Sequence, residues 1–294
     1  PAGSQLGSSE AHFSADRAEY HRQVFGIETI MEVTVAPEDD VELRRVKVMN
    51  RSIRTRPLEF TSYCELALTP HAADKAHPAF AKMFIETERT PDDILLAQRR
   101  QRSPDEPQVW AAHFLVGVPG KLQSETDRAK FLGRGNTVEY AEALRRPLTG
   151  SAGIVLDPVF SLRCRVTLEP LDQLEFVLVT LIAKSRDEVL ALAAKYHRPE
   201  SITRAFEMAW TRSQLEFRYL GIGPAKSHRF QELAGNLLYA NPNLRVPGVR
   251  LQRNRLGQSA LWGYGISGDL PILTVIIADA RSMPLVRELL LAHT

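Results

Sequence analysis

Leu58-Glu59-Phe60-Thr61-Ser62-Tyr63-Cys64-Glu65-Leu66-Ala67-Leu68 alternates. Leu58, Phe60, Cys64, Leu66 and Leu68 fall on one side, Glu59, Thr61, Tyr63 and Glu65 on the other. A period of two predicts a strand with one buried face. A hundred residues on, Phe160, Leu162, Cys164, Val166 and Leu168 repeat it, with Ser161, Arg163, Arg165, Thr167 and Glu169 opposite. Further strands are predicted at Ile27–Val35, Val41–Met49, Val109–Val118 and Glu175–Ile182. The last is apolar on both faces and belongs in the middle of a sheet. Pro37-Glu38-Asp39-Asp40, Asn50-Arg51-Ser52, Thr149-Gly150 and Glu169-Pro170-Leu171-Asp172 are turn-forming links. Many strands joined by turns, without alternating helices, predict an antiparallel sandwich.

Two inserts interrupt this rhythm, from about Pro70 to Pro107 and from Gly120 to Pro147. A rigid sheet can hold such loops over a ligand. After Ala183 the period changes. Ser185–Tyr196 reads as a helix capped by Ser185, with Asp187 and Glu188 in its first turn. Ser201–Tyr219 and Phe230–Tyr239 are two more, the last stopped by Asn241-Pro242. Ile272–Ala278 is a short apolar strand or helix. A final amphipathic pattern starts near Ser282 and reaches Thr294 without Gly, Asn or Pro, and Pro1–Ser9 is a Gly/Ser stretch without an initiator Met. The expectation is a piece of a longer protein, divided into a β domain (1–184), a helical linker (185–260) and the opening of another helical unit (261–294).

A 44% hydrophobic and 24% charged composition supports a buried core and argues against disorder. A net charge of +2 gives no electrostatic footprint for nucleic acid. Arg99-Arg100-Gln101-Arg102 is followed by Asp105 and Glu106 and reads as a solvated loop. Cys64 and Cys164 sit at apolar strand positions and read as buried free thiols. The apolar runs Phe176–Ala183 and Leu270–Ala278 are too short to span a bilayer as helices. The eight histidines never pair at ligand spacing along the chain, so no metal site is expected. Gly-x-Ser-x-Gly does not occur, and Gly133-Arg134-Gly135-Asn136 lacks the Lys-Ser/Thr of a phosphate loop and reads as a turn.

Paired carboxylates remain as a source of chemistry, because glycosidic bonds need a carboxyl to protonate the leaving oxygen. Asp269 lies near Trp262 and Tyr264, where aromatic faces beside a carboxylate suit a sugar. It reads equally as a turn Asp beside core aromatics. Glu125-Thr126-Asp127-Arg128 and Arg134 form a dense polar set on the second insert. A sugar contact and a local ion-pair network are both open for it.

Several segments carry a resemblance. They are Val35-Ala36-Pro37-Glu38-Asp39-Asp40-Val41-Glu42, Glu59-Phe60-Thr61-Ser62-Tyr63, Asp74-Lys75-Ala76-His77-Pro78-Ala79-Phe80, Phe131-Leu132-Gly133-Arg134-Gly135, Leu156-Asp157-Pro158 and Gly265-Ile266-Ser267-Gly268-Asp269-Leu270-Pro271-Ile272. With Glu125-Thr126-Asp127-Arg128, they resemble the part of cyclic β-1,2-glucan synthases that belongs to glycoside phosphorylase family 94. The likeness runs from about residue 12 to 294.

The resemblance implies a mainly β fold: a large antiparallel β-supersandwich, galactose-mutarotase-like, then an α-helical linker and the truncated start of an α/α barrel. It implies inverting phosphorolysis by a parent hexosyltransferase, with the catalytic Asp and phosphate ligands beyond Thr294. No catalytic residue, metal or cofactor is therefore carried onto this sequence, and the piece alone is expected to be inactive. It implies a homodimer whose sandwich loops lean over the partner's active site. Asp74, His77, Asp127, Arg128, Arg134 and Asp269 are then the expected substrate-binding residues, with a β-glucan as partner. The implied location is soluble, on the cytoplasmic side of a bacterial inner-membrane parent. A free-standing carbohydrate-binding sandwich and a structural dimerisation domain are the alternatives. An apolar patch around 270–278 and 282–294 is expected, covered by self-association or by docking on the sandwich.

Overall fold

The structure, a computed structural model, describes residues 7–101, 103–239 and 241–293. The beginning of the Gly/Ser stretch (1–6), Arg102 of the basic cluster and Thr294 of the last helical pattern lie outside the described residues. The strands in chain order are β1 (Gly7–Phe13), β2 (Ala18–Val24), β3 (Ile27–Val35), β4 (Val41–Asn50), β5 (Arg56–Thr61), β6 (Cys64–Glu65), β7 (Ile85–Arg89), β8 (Leu95–Arg99), β9 (Val109–Val116), β10 (Gln123–Asp127), β11 (Gly153–Ile154), β12 (Pro158–Leu168) and β13 (Gln173–Ala183). The helices are α1 (His71–Ala76), α2 (Pro78–Lys82), α3 (Arg128–Leu132), α4 (Arg186–Tyr196), α5 (Pro199–Leu220), α6 (Pro224–Leu238), α7 (Gly248–Leu251) and α8 (Met283–His293). Two compact units divide the chain, Pro1–Arg212 and Ser213–Thr294.

The first unit is a sandwich of unequal sheets. Nine antiparallel strands run in the order β1-β2-β3-β4-β13-β9-β8-β7-β11. The smaller sheet runs β10-β12-β5, with β6 also paired to β12. β13 sits fifth of the nine, and its two faces go to different cores. Val177, Val179 and Leu181 pack with Val189, Ala193 and Tyr196 of α4 and with Ile202, Ala205 and Phe206 of α5. Phe176 and Leu178 face the small sheet, against Phe160, Leu162 and Cys164. A strand covered on both sides has no reason to alternate, hence its continuous apolar run.

The alternating stretch from Leu58 packs as read. Leu58, Phe60, Cys64, Leu66 and Leu68 all join the core between the sheets. It is not one strand, however. β5 ends at Thr61, and β6 resumes at Cys64. Ser62 between them accepts a hydrogen bond from Leu162 N at 2.9 Å. Both thiols are free.

Other expectations need correction. β1 begins at Gly7 within the Gly/Ser start and pairs with β2 beyond it, and the first insert holds β7 and β8. Arg99 ends β8 and is 6% exposed rather than solvated, with Glu106 beside it at 3.4 Å. Ile272–Ala278 forms neither strand nor helix. α4 is capped as expected: Ser185 Oγ accepts from Glu188 N at 3.2 Å.

In the second unit, Lys226 of α6 pairs with Glu288 of α8 at 3.2 Å. Leu270, Ile272, Leu273, Ile276 and Ile277 are exposed.

Candidate functional site

The second insert is bound to the sandwich by charged groups that water does not reach. Ser161, Arg163 and Glu125 point away from the inter-sheet core, and alternation alone would put them in solvent. Instead residues of the insert cover them. Arg163 is 1% exposed and donates from Nε to Thr61 Oγ1 (2.8 Å), from one terminal nitrogen to Arg146 O (2.8 Å) and from the other to Ala143 O. Glu59 stands 3.1 Å from the same guanidinium. Glu125, also 1% exposed, accepts from Thr126 N and Asp127 N at 3.0 Å and from Thr149 N at 3.2 Å. Both the guanidinium and the carboxylate are thus held by several hydrogen bonds, the condition under which a buried ion is tolerable, whereas Ser161 Oγ is buried without a partner among the described residues. Phe131, Leu132, Ala141 and Ala143 close a small apolar cluster above the sheet, with Tyr63 and Leu148 against it.

A second network lies where both inserts meet β6. Arg128, at the start of α3, donates to Glu65 Oε1 (2.9 Å) and Tyr63 Oη (3.1 Å) and reaches Asp157 Oδ2 at 3.3 Å. Lys82, at the end of α2, donates to Asp157 Oδ1 at 2.8 Å. Tyr63 Oη donates to Glu65 at 2.8 Å. One basic group from each insert thus shares Asp157. Burial pushes the Glu65 carboxyl up, but the hydrogen bonds from Tyr63 and Arg128 outweigh it and leave it below its ordinary value. Burial first, then the Glu65 carboxylate, pushes Tyr63 up to about 12. The bond to Glu65, then that to Tyr63, raises Arg128 further, so the guanidinium stays charged.

The expected substrate residues divide sharply. Arg128 belongs to this network. Asp127 is the cap of α3, its Oδ1 accepting from Ala129 N (2.9 Å) and Lys130 N (3.4 Å). Its carboxylate serves the helix first, a reading that an Asp directly before a helix could have suggested. Arg134 is exposed on the following turn, where Gly133 (φ +78°) and Gly135 (φ +73°) take left-handed conformations. A Cβ on Gly133 would meet Glu142 Oε2 at 2.7 Å. Among the described residues no hydrogen bond or ion pair holds the Arg134 guanidinium. Asp74 lies on α1, half-buried, with Oδ1 shielded and lacking a hydrogen-bond partner among the described residues. His77 is exposed at the α1–α2 junction, where its backbone N–H donates to Ala73 O. Neither joins the Arg128 network. Asp269 belongs to the second unit and accepts from Gln258 Nε2 at 2.7 Å, with Trp262 and Tyr264 exposed nearby in sequence. Lys82, Asp157, Tyr63 and Glu65 were missed as network members, since they are remote in sequence and meet only through the fold.

A small polar cluster lies between the sheets. His113 is 3% exposed, with Nδ1 2.9 Å from Thr180 Oγ1 and Nε2 2.9 Å from Ser62 Oγ. Burial, helped by the nearby Arg44 charge, lowers its pKa to about 4, so the ring is neutral. It lines a cleft of about 250 Å³ with Phe60, Cys64 and Phe176.

A large antiparallel sheet backed by a small one, with helices packed on the other side and loops carried at one end, is the supersandwich architecture of carbohydrate-active enzymes. The family model described as Glycosyl hydrolase 94, supersandwich domain, matches residues 1–199, and the chain belongs to that family. It is 36% identical over 287 residues to the cyclic beta-(1,2)-glucan synthase NdvB of Rhizobium meliloti (strain 1021). That match covers 96% of this chain and 10% of that protein. Among solved structures, a putative kojibiose phosphorylase from the human microbiome aligns with 69% of this chain and 23% of its own, at 8% identity and a TM-score of 0.40. A polysaccharide lyase aligns with 59% of this chain and 23% of its own, at 9% identity and a TM-score of 0.35. Both are too distant to bear on function. No helix among the described residues is long and apolar enough to cross a membrane.

Proposed function

We propose that this chain is the scaffold part of a larger β-1,2-glucan-processing enzyme and that its two inserts form a rim that touches the glucan. The observation that carries this reading is the Lys82–Asp157–Arg128–Glu65 network, which ties both inserts to one end of the small sheet. Arg134 and His77 are left exposed on segments held in this way. A guanidinium can make several hydrogen bonds to sugar hydroxyls from a fixed fork. In this reading the bond-breaking Asp and the phosphate come from elsewhere in the longer protein, which acts by glucosyl transfer or inverting phosphorolysis on the cytoplasmic side of a membrane. The chain pairs as a homodimer, and the exposed apolar residues from Leu270 to Ile277 support self-association. Shortening the chain by residues 282–294 should then change its oligomeric state in gel filtration.

The test is calorimetric titration with linear and cyclic β-1,2-glucan, with a cello-oligosaccharide as control. Saturable heat with β-1,2-glucan alone, lost in Arg134→Ala, is the expected result. Equal heats for all three sugars, or no loss on substitution, would remove the insert from the proposal.

A further inference from the structure

The face of the large sheet that α4 and α5 cover at β13 stays open toward β7 and β11. A hollow of about 270 Å³ lies there, just below the range of about 300–1,000 Å³ usual for a small-molecule site. Its lining is set by register. Ile154 stands opposite Glu86, Glu86 opposite Gln98, and Gln98 opposite Trp110. One row thus crosses four neighbouring strands, β11, β7, β8 and β9. Glu88 and Leu96, opposite each other two residues along, form the next row on the same face. No residue of α4 or α5 lines the hollow.

These groups suit a neutral, hydroxyl-rich ring. Leu96, 0% exposed, and the exposed Ile154 supply apolar surface. Glu86 lies 3.2 Å from Arg100, and Glu88 accepts from Arg186 at 2.8 Å. Each carboxylate already has its cation, which leaves no spare charge for a metal ion or a phosphate. Each also keeps lone pairs for hydroxyl donors, because an ionised carboxylate has several acceptor sites. Gln98 donates from Nε2 to Glu86 at 2.9 Å and retains its amide oxygen and second amide hydrogen. The indole N–H of Trp110 makes no hydrogen bond among the described residues and is not sealed from water. Donors and acceptors therefore surround apolar surface beside an indole. A pyranose is divided in the same way, with C–H groups on its faces and hydroxyls around its edge.

We propose that this hollow is a second sugar-binding site, which takes a mono- or disaccharide stretch of a glucan against Trp110, with Glu88 and Gln98 orienting the hydroxyls. Leu96 belongs to the core shared with α4, so the site lies on the opposite face of the large sheet from the small sheet and the insert that bears Arg134. Only the choice of β-1,2-glucan as the sugar rests on the function proposed above. The ordinary role for these residues, cross-strand pairs that support the sheet, predicts no response to sugar at all.

The test follows the indole N–H signal of Trp110 in NMR spectra of the unaltered chain, titrated with a β-1,2-linked glucose disaccharide. That signal should shift progressively, with half-saturation at about 1 mM or above. Trp210 on α5 should stay in place, and sorbitol, an open-chain polyol without ring faces, should move neither. Gln98→Ala and Glu88→Gln should each weaken the response about threefold or more, whereas Arg134→Ala should leave it intact. The proposal is overturned if the disaccharide leaves Trp110 unmoved, if sorbitol shifts it equally, or if neither variant weakens the response. Heat that depends on Arg134 with an unmoved Trp110 would sink the hollow alone. A shifting Trp110 without such heat would support the hollow and sink the rim. The first readout uses the unaltered protein and so does not depend on how the variants fold.

Discussion

Glu125 and Arg163 on the small sheet, and Glu10, His12, Glu19 and His21 on the hairpin, are charged or titratable side chains on faces that alternation turns away from the inter-sheet core. The first two are 1% exposed and each held by several hydrogen bonds. The other four are 33% to 69% exposed. Alternation decides which way a residue points; the loop that returns over it decides what it meets. A buried ion becomes a structural clamp, and an exposed one does not.

The largest effect should come from breaking the clamp. Arg163→Met strands the carbonyls of Ala143 and Arg146 and leaves Glu59 without its buried partner. Urea denaturation should show a loss of about 3–5 kcal/mol, the usual cost of removing one side of a buried charge network. A loss below about 1 kcal/mol would mean the guanidinium is as dispensable as a surface ion.

His113 extends the comparison to a titratable group sealed between the sheets. Its folded value of about 4 lies below the ordinary 6.5. The unfolded chain therefore takes up the proton first. The contribution is complete above about pH 6.5 and is lost as the pH falls toward 4, by about 3 kcal/mol at 1.36 kcal/mol per unit. His113→Gln should flatten that part of the stability–pH profile while lowering stability at neutral pH. An unchanged profile would mean the ring keeps its ordinary value in the fold.

Arg128 tests an intermediate case, since its network is half-exposed. Arg128→Met should cost about 1 kcal/mol or less. The lowered Glu65 carboxyl contributes above the ordinary carboxylate range and stops contributing on acidification through its folded value, so the two forms should converge in acid. The smallest effect belongs to Arg134→Ala, within about 0.5 kcal/mol of the parent because nothing is packed on it. A larger loss there would mean the exposed turn is part of the clamp.

Much of the sandwich was legible. Leu58 to Leu68, Phe160 to Leu168 and the doubly apolar β13 carry their periods openly, because each buries a large apolar face. The β1–β2 hairpin was hidden because it joins no large core and carries little besides Phe13 and Tyr20 to mark it. Its cross-strand pairs were invisible to a search along the chain, since Glu10 and His21 become neighbours only through the register. The ion-pair reading of the Glu125–Arg128 set held for Arg128, whereas Asp127 was a helix cap. Lys82 and Asp157, far apart in sequence, gave no pattern at all. Ile272–Ala278 misled because apolar content without a covering layer does not make a strand.

The most direct test is amide hydrogen exchange of the second insert in the parent and in Glu125→Gln. Buried charges that hold the insert in place predict protection at Leu144, Arg145 and Thr149 in the parent, whose amides donate to Ala141 O, Glu142 O and Glu125, lost in the variant while β9 and β13 stay protected. Fast exchange at those amides in the parent, or equal protection in both proteins, would contradict it.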